Sequence, residues 1–278
     1  MISELKKKDF YKCHHLIVGQ ALIETKAIIN GNNPGRIFVD HTDSPQSGLI
    51  WLGSHDGFIF IGNEQNEIFN HELNDFINRV IEPEAKQAGL TWFEGIGNDK
   101  KWNRQIEMMF KHRNVASWNQ KVFTLSVANY SRENELKIDS AYTVLKISKV
   151  FDGSNMFQNI DFVEAKILSF WDSLDSFFQK GIGYCIVHQN RIVSMCLSVY
   201  VAENVHSIDI ETLEAHQGRK LAQKAAHCFV TECFAHGSTP YWDCMEDNKP
   251  SIVIAENIGF TNVFNYVGDE FPFLSSDK

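Results

Sequence analysis

Four pieces of sequence between residues 207 and 260 decide how this chain is read. They are Ser207-Ile-Asp-Ile-Glu-Thr-Leu213, Glu214-Ala-His-Gln-Gly-Arg-Lys-Leu-Ala222, Tyr241-Trp-Asp-Cys-Met245 and Asn248-Lys-Pro-Ser-Ile-Val-Ile-Ala-Glu-Asn-Ile-Gly-Phe260. The first alternates apolar and polar residues, as a half-exposed strand does. The second places Gly218 ahead of the helical spacing Leu221, Ala225, Phe229 and Cys233, which predicts a turn opening a helix over 217–236. A second strand follows at 240–245, then a helix at 249–258 led by Asn248 as N-cap and closed by Gly259 as a left-handed cap. A helix start of this kind offers N–H groups without intrahelical partners and a positive dipole end, which suits a phosphate. Arg219, Lys220 and Lys224 crowd that end, where cations are unfavourable unless an anion joins them.

Outward from this stretch the order repeats. The second half reads as a helix at 162–178, a hairpin of 183–188 and 192–201 about Gln189-Asn190, and a last strand at 260–267. The first half reads as a helix at 9–30, a strand at 36–40, and a hairpin of 48–53 and 57–62 turning at His55-Asp56-Gly57. A helix at 69–89, bent or segmented by Pro83, comes next, then a strand at 91–95, a helix at 101–112 and a strand at 120–125. The expectation is an α/β (α+β) chain of two similar units, 1–125 and 159–278, joined by a linker at 126–158 with a charged run from Ser131 and a turn at Asp152-Gly153.

Composition narrows the class. A net charge of −9 argues against a nucleic-acid partner, since phosphate-backbone binding needs a concentrated basic face. No run of eighteen apolar residues is present to span a membrane. The N-terminal Lys6-Lys7-Lys8 lacks the apolar stretch of a secretion signal. Six cysteines without Cys-x-x-Cys spacing argue for buried free thiols in a reduced, cytoplasmic protein rather than for a metal site.

The four pieces resemble the acetyl-CoA core of the GNAT superfamily of N-acetyltransferases. The resemblance is closest to two-domain bacterial members with a Trp-Asp-Cys strand before the Asn-led helix. It implies a mixed central sheet flanked by helices, here two GNAT-like units in tandem, with acetyl-CoA as co-substrate and no metal. The family's Gln/Arg-x-x-Gly-x-Gly/Ala turn stands as Gln217, Gly218, Arg219, Lys220, Leu221 and Ala222, which implies a pyrophosphate cradle. Lys220 replaces the usual glycine, and either reaches a phosphate, helped by Arg219 and Lys224, or obstructs its approach. Asn248 and Ser251 match the Asn-x-x-Ala/Ser segment beside the pantetheine. The backbone donor for the developing oxyanion falls at Thr212 or Leu213. A tyrosine that protonates the departing thiolate in many members is absent, Ala255 standing in its place.

Strand alternation puts Asp209 and Glu211 on the face opposite Ile208 and Ile210, so Glu211, with Asp209 second, is the candidate base or water-orienting group. Tyr241 is a candidate proton donor, and Asp243 could select a cationic acceptor. The first half has Asn66-Glu-Ile-Phe-Asn-His-Glu72 where a phosphate turn would stand; its glutamates repel a diphosphate. It is left to cover the acceptor side, with Trp92, Trp102 and Trp118 as lining, or to build a dimer contact. The reading is an N-acetyltransferase acting on a primary amine of a small molecule or peptide. The alternative is a catalytically silent acyl-CoA sensor on the same fold.

Overall fold

The computed structural model describes residues 1–17, 19, 21–53, 57–131, 135–153 and 156–273. The chain divides into two compact units, Met1–Gln120 with Tyr266–Lys278, and Lys121–Asn265.

The first unit begins with β1 (Ser3–Glu4), a 3-10 segment at Lys7–Leu16 and α1 (Ile23–Ile29), so the helix expected at 9–30 is not continuous. β2 (Arg36–Val39), β3 (Ser47–Trp51) and β4 (Gly57–Gly62) form an antiparallel meander. The residues His55 and Asp56, expected at its turn, lie outside the described residues. After α2 (Glu67–Phe76) and α3 (Glu82–Gln87), β5 (Trp92–Gly97) runs parallel to β4, and α4 (Lys101–Phe110) follows. Pro83 does segment the 69–89 helix. A π turn at Ile77–Ile81 intervenes, and Pro83 sits in the first turn of α3.

β6 (Ala116–Thr124) passes from the first unit into the second. There β7 (Tyr142–Lys146), α5 (Ile147–Val150), α6 (Ile160–Phe170) and α7 (Leu174–Lys180) precede β8 (Gly183–His188), β9 (Arg191–Ala202) and β10 (Val205–Thr212). α8 (Leu221–Ala235), β11 (Thr239–Met245), α9 (Lys249–Ile258) and β12 (Thr261–Pro272) complete the chain. The strand order in this unit is β6-β11-β10-β9-β8-β7, with β8, β9 and β10 antiparallel and β11 parallel to β10. Each unit thus carries a three-stranded antiparallel meander, a helical crossover and a parallel strand, the tandem α/β arrangement expected.

Three boundaries differ from the sequence reading. The 126–158 stretch is more than a linker, because its β7 pairs antiparallel with β8. The 162–178 helix breaks at Trp171, which is extended at φ −125°, and Ser173 caps α7 by accepting from Ser176 N. The buried Trp171 indole donates to Ser198 O at 2.9 Å, a tertiary bond that overrides helix continuation. The last strand is longer than 260–267, and its far end belongs to the first unit. Gly268–Pro272 pairs with Trp92–Ile96, and Phe271 stacks on Phe93 (4.8 Å), which stacks on Phe58 (4.4 Å). Burying one such ring contributes about 2 kcal/mol, enough to fix where the C-terminal strand goes.

In the second unit Leu221, Ala225, Phe229 and Cys233 of α8 pack over Ile186, Val193, Cys196 and Ile208. The six cysteines are free, and burial pushes the Cys185 thiol up to about 12. Gly259 closes α9 at φ 107°, and a Cβ there would lie 2.8 Å from Asn129 O; Gly218, also left-handed at φ 73°, has nothing within 4 Å. Gly218→Ala is therefore expected to cost about 1 kcal/mol in urea unfolding, the left-handed penalty alone, and Gly259→Ala about 2–3 kcal/mol. Equal costs would show that the Asn129 contact contributes nothing.

Candidate active site

β10 and β11 pair at Val205↔Thr239, His206↔Pro240 and Ser207↔Tyr241, and among the described residues no further. Residues 208–212 and 242–245 then continue as strands without facing each other across a ladder. On its other edge β10 stays paired with β9 through Thr212↔Ser194. Between His206 and Ile208 the register shifts: β10 advances two residues while β9 advances three, from Val201 to Ser198. A bulge of this kind bends the strands locally. The corresponding parallel pair in the first unit shows no such opening. There β4 and β5 pair up to Phe60↔Gly97, and Asn98 N then donates to Phe60 O.

The gap presents a row of backbone donors. Leu213 N donates to Val193 O at 2.9 Å, so Leu213 is spent on β9 and is not the oxyanion donor that the sequence allowed. By the alternation of an antiparallel ladder, Glu211 and Asp209 also bond to β9, whereas the N–H groups of Thr212, Ile210 and Ile208 point toward the open side. Thr212 N–H lies on the open side of β10. Ile210 N–H joins it, a group that sequence reasoning missed because no side-chain signal marks it.

The turn before α8 is held by its own side chains. Gln217 Nε2 donates to Thr212 O at 3.1 Å, and Thr212 Oγ1 lies 2.7 Å from Ser194 Oγ. Gly218 and Lys220 are both left-handed, Lys220 at φ 63° immediately before the first helical residue. Lys220 thus keeps the backbone shape that glycine takes freely, at about 1–2 kcal/mol for a residue with a Cβ. Leu221 is buried in the core and anchors the helix, while Arg219 and Lys220 are exposed and Ala222 half-buried. Lys224 does not serve the turn: its Nζ pairs with Glu135 Oε1 at 2.6 Å.

Asp209 and Glu211 come together as expected, and Lys166 of α6 joins them. Its Nζ lies 2.9 Å from Glu211 Oε2 and 3.6 Å from Asp209 Oδ1. Burial pushes the Lys166 ammonium down, but Asp209 and Glu211 outweigh it, and the net shift is upward. Sequence reading passed over Lys166, although a lysine beside Ile167 on an apolar helix face is the signal that would have found it. Tyr241 is buried at the last ladder pair, and Asp243 is half-buried two residues on. Asn248 Oδ1 accepts from Ser251 N at 3.2 Å, and Trp242 Nε1 donates to Ser251 Oγ at 2.9 Å. These contacts make Asn248 a true N-cap and tie α9 to β11. Ala255, on the core face of α9, is fully buried, and Trp102, expected as pocket lining, is core in the first unit.

A family model described as "GNAT acetyltransferase" matches residues 15–268. The chain belongs to the GNAT acetyltransferase family. It is accordingly an acetyltransferase. The uncharacterized N-acetyltransferase YdfB of Bacillus subtilis is 26% identical over 241 residues, 86% of this chain and 87% of that protein. Among solved structures, a GCN5-related N-acetyltransferase-like protein from Streptococcus suis superposes with a TM-score of 0.69 at 18% identity, covering 95% of this chain and 98% of its own. A tandem GNAT protein from the clavulanic acid biosynthesis pathway, solved without AcCoA, gives 0.62 at 9% identity over the whole of both chains. At these identities the two structures show the fold alone.

No helix among the described residues is long and apolar enough to cross a membrane. Nor, among those residues, do three His, Cys, Asp or Glu side chains gather as a metal site does. Within the GNAT core, His206 fixes the strand beside the bulge. Its Nδ1 lies 3.0 Å from Ser198 Oγ, which accepts from Ile182 N. Burial, with the charge of His236 next, lowers its pKa to about 4. The folded state therefore holds His206 neutral at a pH where an unfolded chain, with pKa about 6.5, protonates it. That stability is complete above about pH 6.5 and is lost as pH falls toward 4. Unfolding free energy should drop by about 3 kcal/mol across that window, and His206→Gln should flatten the slope. A variant with the wild-type slope would assign the acid sensitivity elsewhere.

Proposed function

We propose that the chain transfers an acetyl group from acetyl-CoA to a primary amine of a small molecule or peptide, by direct attack on the thioester. One observation carries this reading: the parallel pair β10–β11 opens after Ser207↔Tyr241, and the open edge leads into a left-handed turn at the start of a fifteen-residue helix. A pantetheine arm fits such an opening, because its amide groups can complete the backbone donors and acceptors left without a strand partner. The diphosphate fits the turn 217–222, where α8 supplies N–H groups and a positive dipole end, with Arg219 and Lys220 beside it.

Acetyl-CoA supplies the activated acyl carbon. The work of the chain is to orient the amine, take its proton and meet the charge on the carbonyl oxygen. A substrate ammonium of pKa near 10 must first lose a proton, and Glu211 takes it directly or through a water. Lys166 holds Glu211 beside Asp209 and fixes the carboxylate's direction. The amine nitrogen then bonds to the acyl carbon while the C–S bond breaks, the electron pair leaving on sulfur. The N–H groups of Thr212 and Ile210 meet the oxyanion as it forms. Tyr241 is the candidate to return a proton to the thiolate, although a thiol of pKa about 8.5 leaves tolerably unaided near neutrality.

Ala255 favours a second reading, a silent acyl-CoA-binding protein, since the position that carries a proton donor in many relatives is filled by core. Steady release of CoA thiol with a panel of amines separates the two; binding without turnover selects the sensor. On the enzymatic reading, Glu211→Gln should lower kcat/KM for a cationic amine by about a hundredfold below the amine's pKa, with a deficit that shrinks as pH rises. Tyr241→Phe should cost less at every pH. A Glu211→Gln profile that overlays wild type would remove Glu211 from the role.

A further inference from the structure

Beside the turn before α8 lies a cluster that the transfer chemistry does not use. Tyr142 of β7, His188 of β8 and Arg191 of β9 stand in one cross-strand row, Tyr142↔His188 and His188↔Arg191 being direct register partners. Direct partners share a sheet face. Tyr142 packs against the core that α8 covers, which places the row on the face of that helix. The rings of Tyr142 and His188 stack at 4.7 Å, and His188 lies 5.3 Å from the ring of His216. Tyr142 Oη is 3.0 Å from His216 Nδ1 and so orients the histidine that precedes Gln217 and the turn. The nearest acid in sequence, Glu214, makes no ion pair among the described residues, and neither Arg191 nor Arg219 has an ion-pair partner there.

Two guanidinium cations without ion-pair partners among the described residues, Arg191 and Arg219, thus stand beside two imidazoles in a chain whose net charge is −9, close to the N-terminal end of a helix. The crowding registers on His216 itself. Burial, then the charges of His188, Arg219 and Arg191, hold its imidazole below the usual histidine range. Like charges gathered at the positive end of a helix lower the stability of the free protein and are compensated when an anion binds.

We infer that His188, Arg191 and His216, with Arg219 at the edge of the diphosphate turn, form a phosphomonoester subsite for the 3′-phosphate of CoA that adjoins that turn. The inference rests on the acetyl-CoA reading above. A phosphomonoester carries nearly two negative charges and three strong acceptor oxygens at neutral pH. Planar guanidinium groups such as Arg191 and Arg219 match that geometry. Tyr142 is a positioning residue, holding His216 toward the row.

Equilibrium titration of the full-length chain with CoA and with 3′-dephospho-CoA tests the assignment. The wild type should bind CoA about tenfold more tightly than the dephospho form. Arg191→Gln should abolish most of that preference while leaving dephospho-CoA affinity unchanged, and Arg191→Lys should retain part of it. Arg191 is an exposed residue at the start of β9, so neither variant disturbs the core. Equal wild-type affinity for the two ligands overturns the subsite, as does a parallel loss of both in Arg191→Gln. Binding of neither ligand overturns the acetyl-CoA reading itself.

Discussion

The backbone hydrogen bonds between β10 and β11 stop at Ser207↔Tyr241, and the proposed chemistry of this protein depends on that stop. A parallel ladder normally continues as long as both strands do, because each unmet and buried N–H or C=O costs about 1–3 kcal/mol. Here both strands run on for several residues without facing each other. The row of donors and acceptors left on β10 is a surface waiting for another extended, amide-bearing chain. In the first unit the same pair of strands stays bonded through Asn98 N and Phe60 O, so that row is already satisfied. On the proposed reading, a difference of a few hydrogen bonds is what separates the sheet that admits a pantetheine from the one that does not.

Neighbouring elements hold the opening in place. The bulge against β9 bends β10 where the strands part, and the neutral, buried His206 with Ser198 pins the strand on the paired side of that bend. On the other side, Trp242 is fixed by Ser251, itself held by the Asn248 cap of α9, and packs edge-on against Phe260 at 5.4 Å. Beyond Tyr241, β11 is thus tied to α9 rather than to β10. Lys166 reaches from α6 to Asp209 and Glu211, so the carboxylates on the remaining face of β10 are directed by a partner rather than left to solvent.

Much of this was legible in the sequence, for identifiable reasons. The alternation Ile208-Asp209-Ile210-Glu211 fixes which side chains face the α8 core, and the structure places them accordingly. Asn248, Gly259 and the spacing from Leu221 to Cys233 mark helix ends and faces by local stereochemistry, which is why α8 and α9 were readable. What was not legible depends on partners distant in sequence. Trp171 breaks a helix because its indole finds Ser198 O, twenty-seven residues on. The far end of β12 joins the first unit because Phe271 stacks on Phe93. In sequence Lys224 reads as a helper for phosphate, yet Glu135 holds it, and Leu213 reads as a free backbone donor, yet its N–H is taken by Val193 O. No local pattern reports a ladder that ends early, so the Ile210 N–H escaped altogether.

Hydrogen–deuterium exchange of the full chain with and without acetyl-CoA tests the central claim most directly. An arm seated in the β10–β11 opening must bond the N–H groups now facing it. Protection should therefore appear in residues 208–212 and in the turn 217–222, with none added at 57–70, where the first-unit strands are already paired. Protection centred on 57–70, or none in 208–212 at saturating acetyl-CoA, would contradict the account.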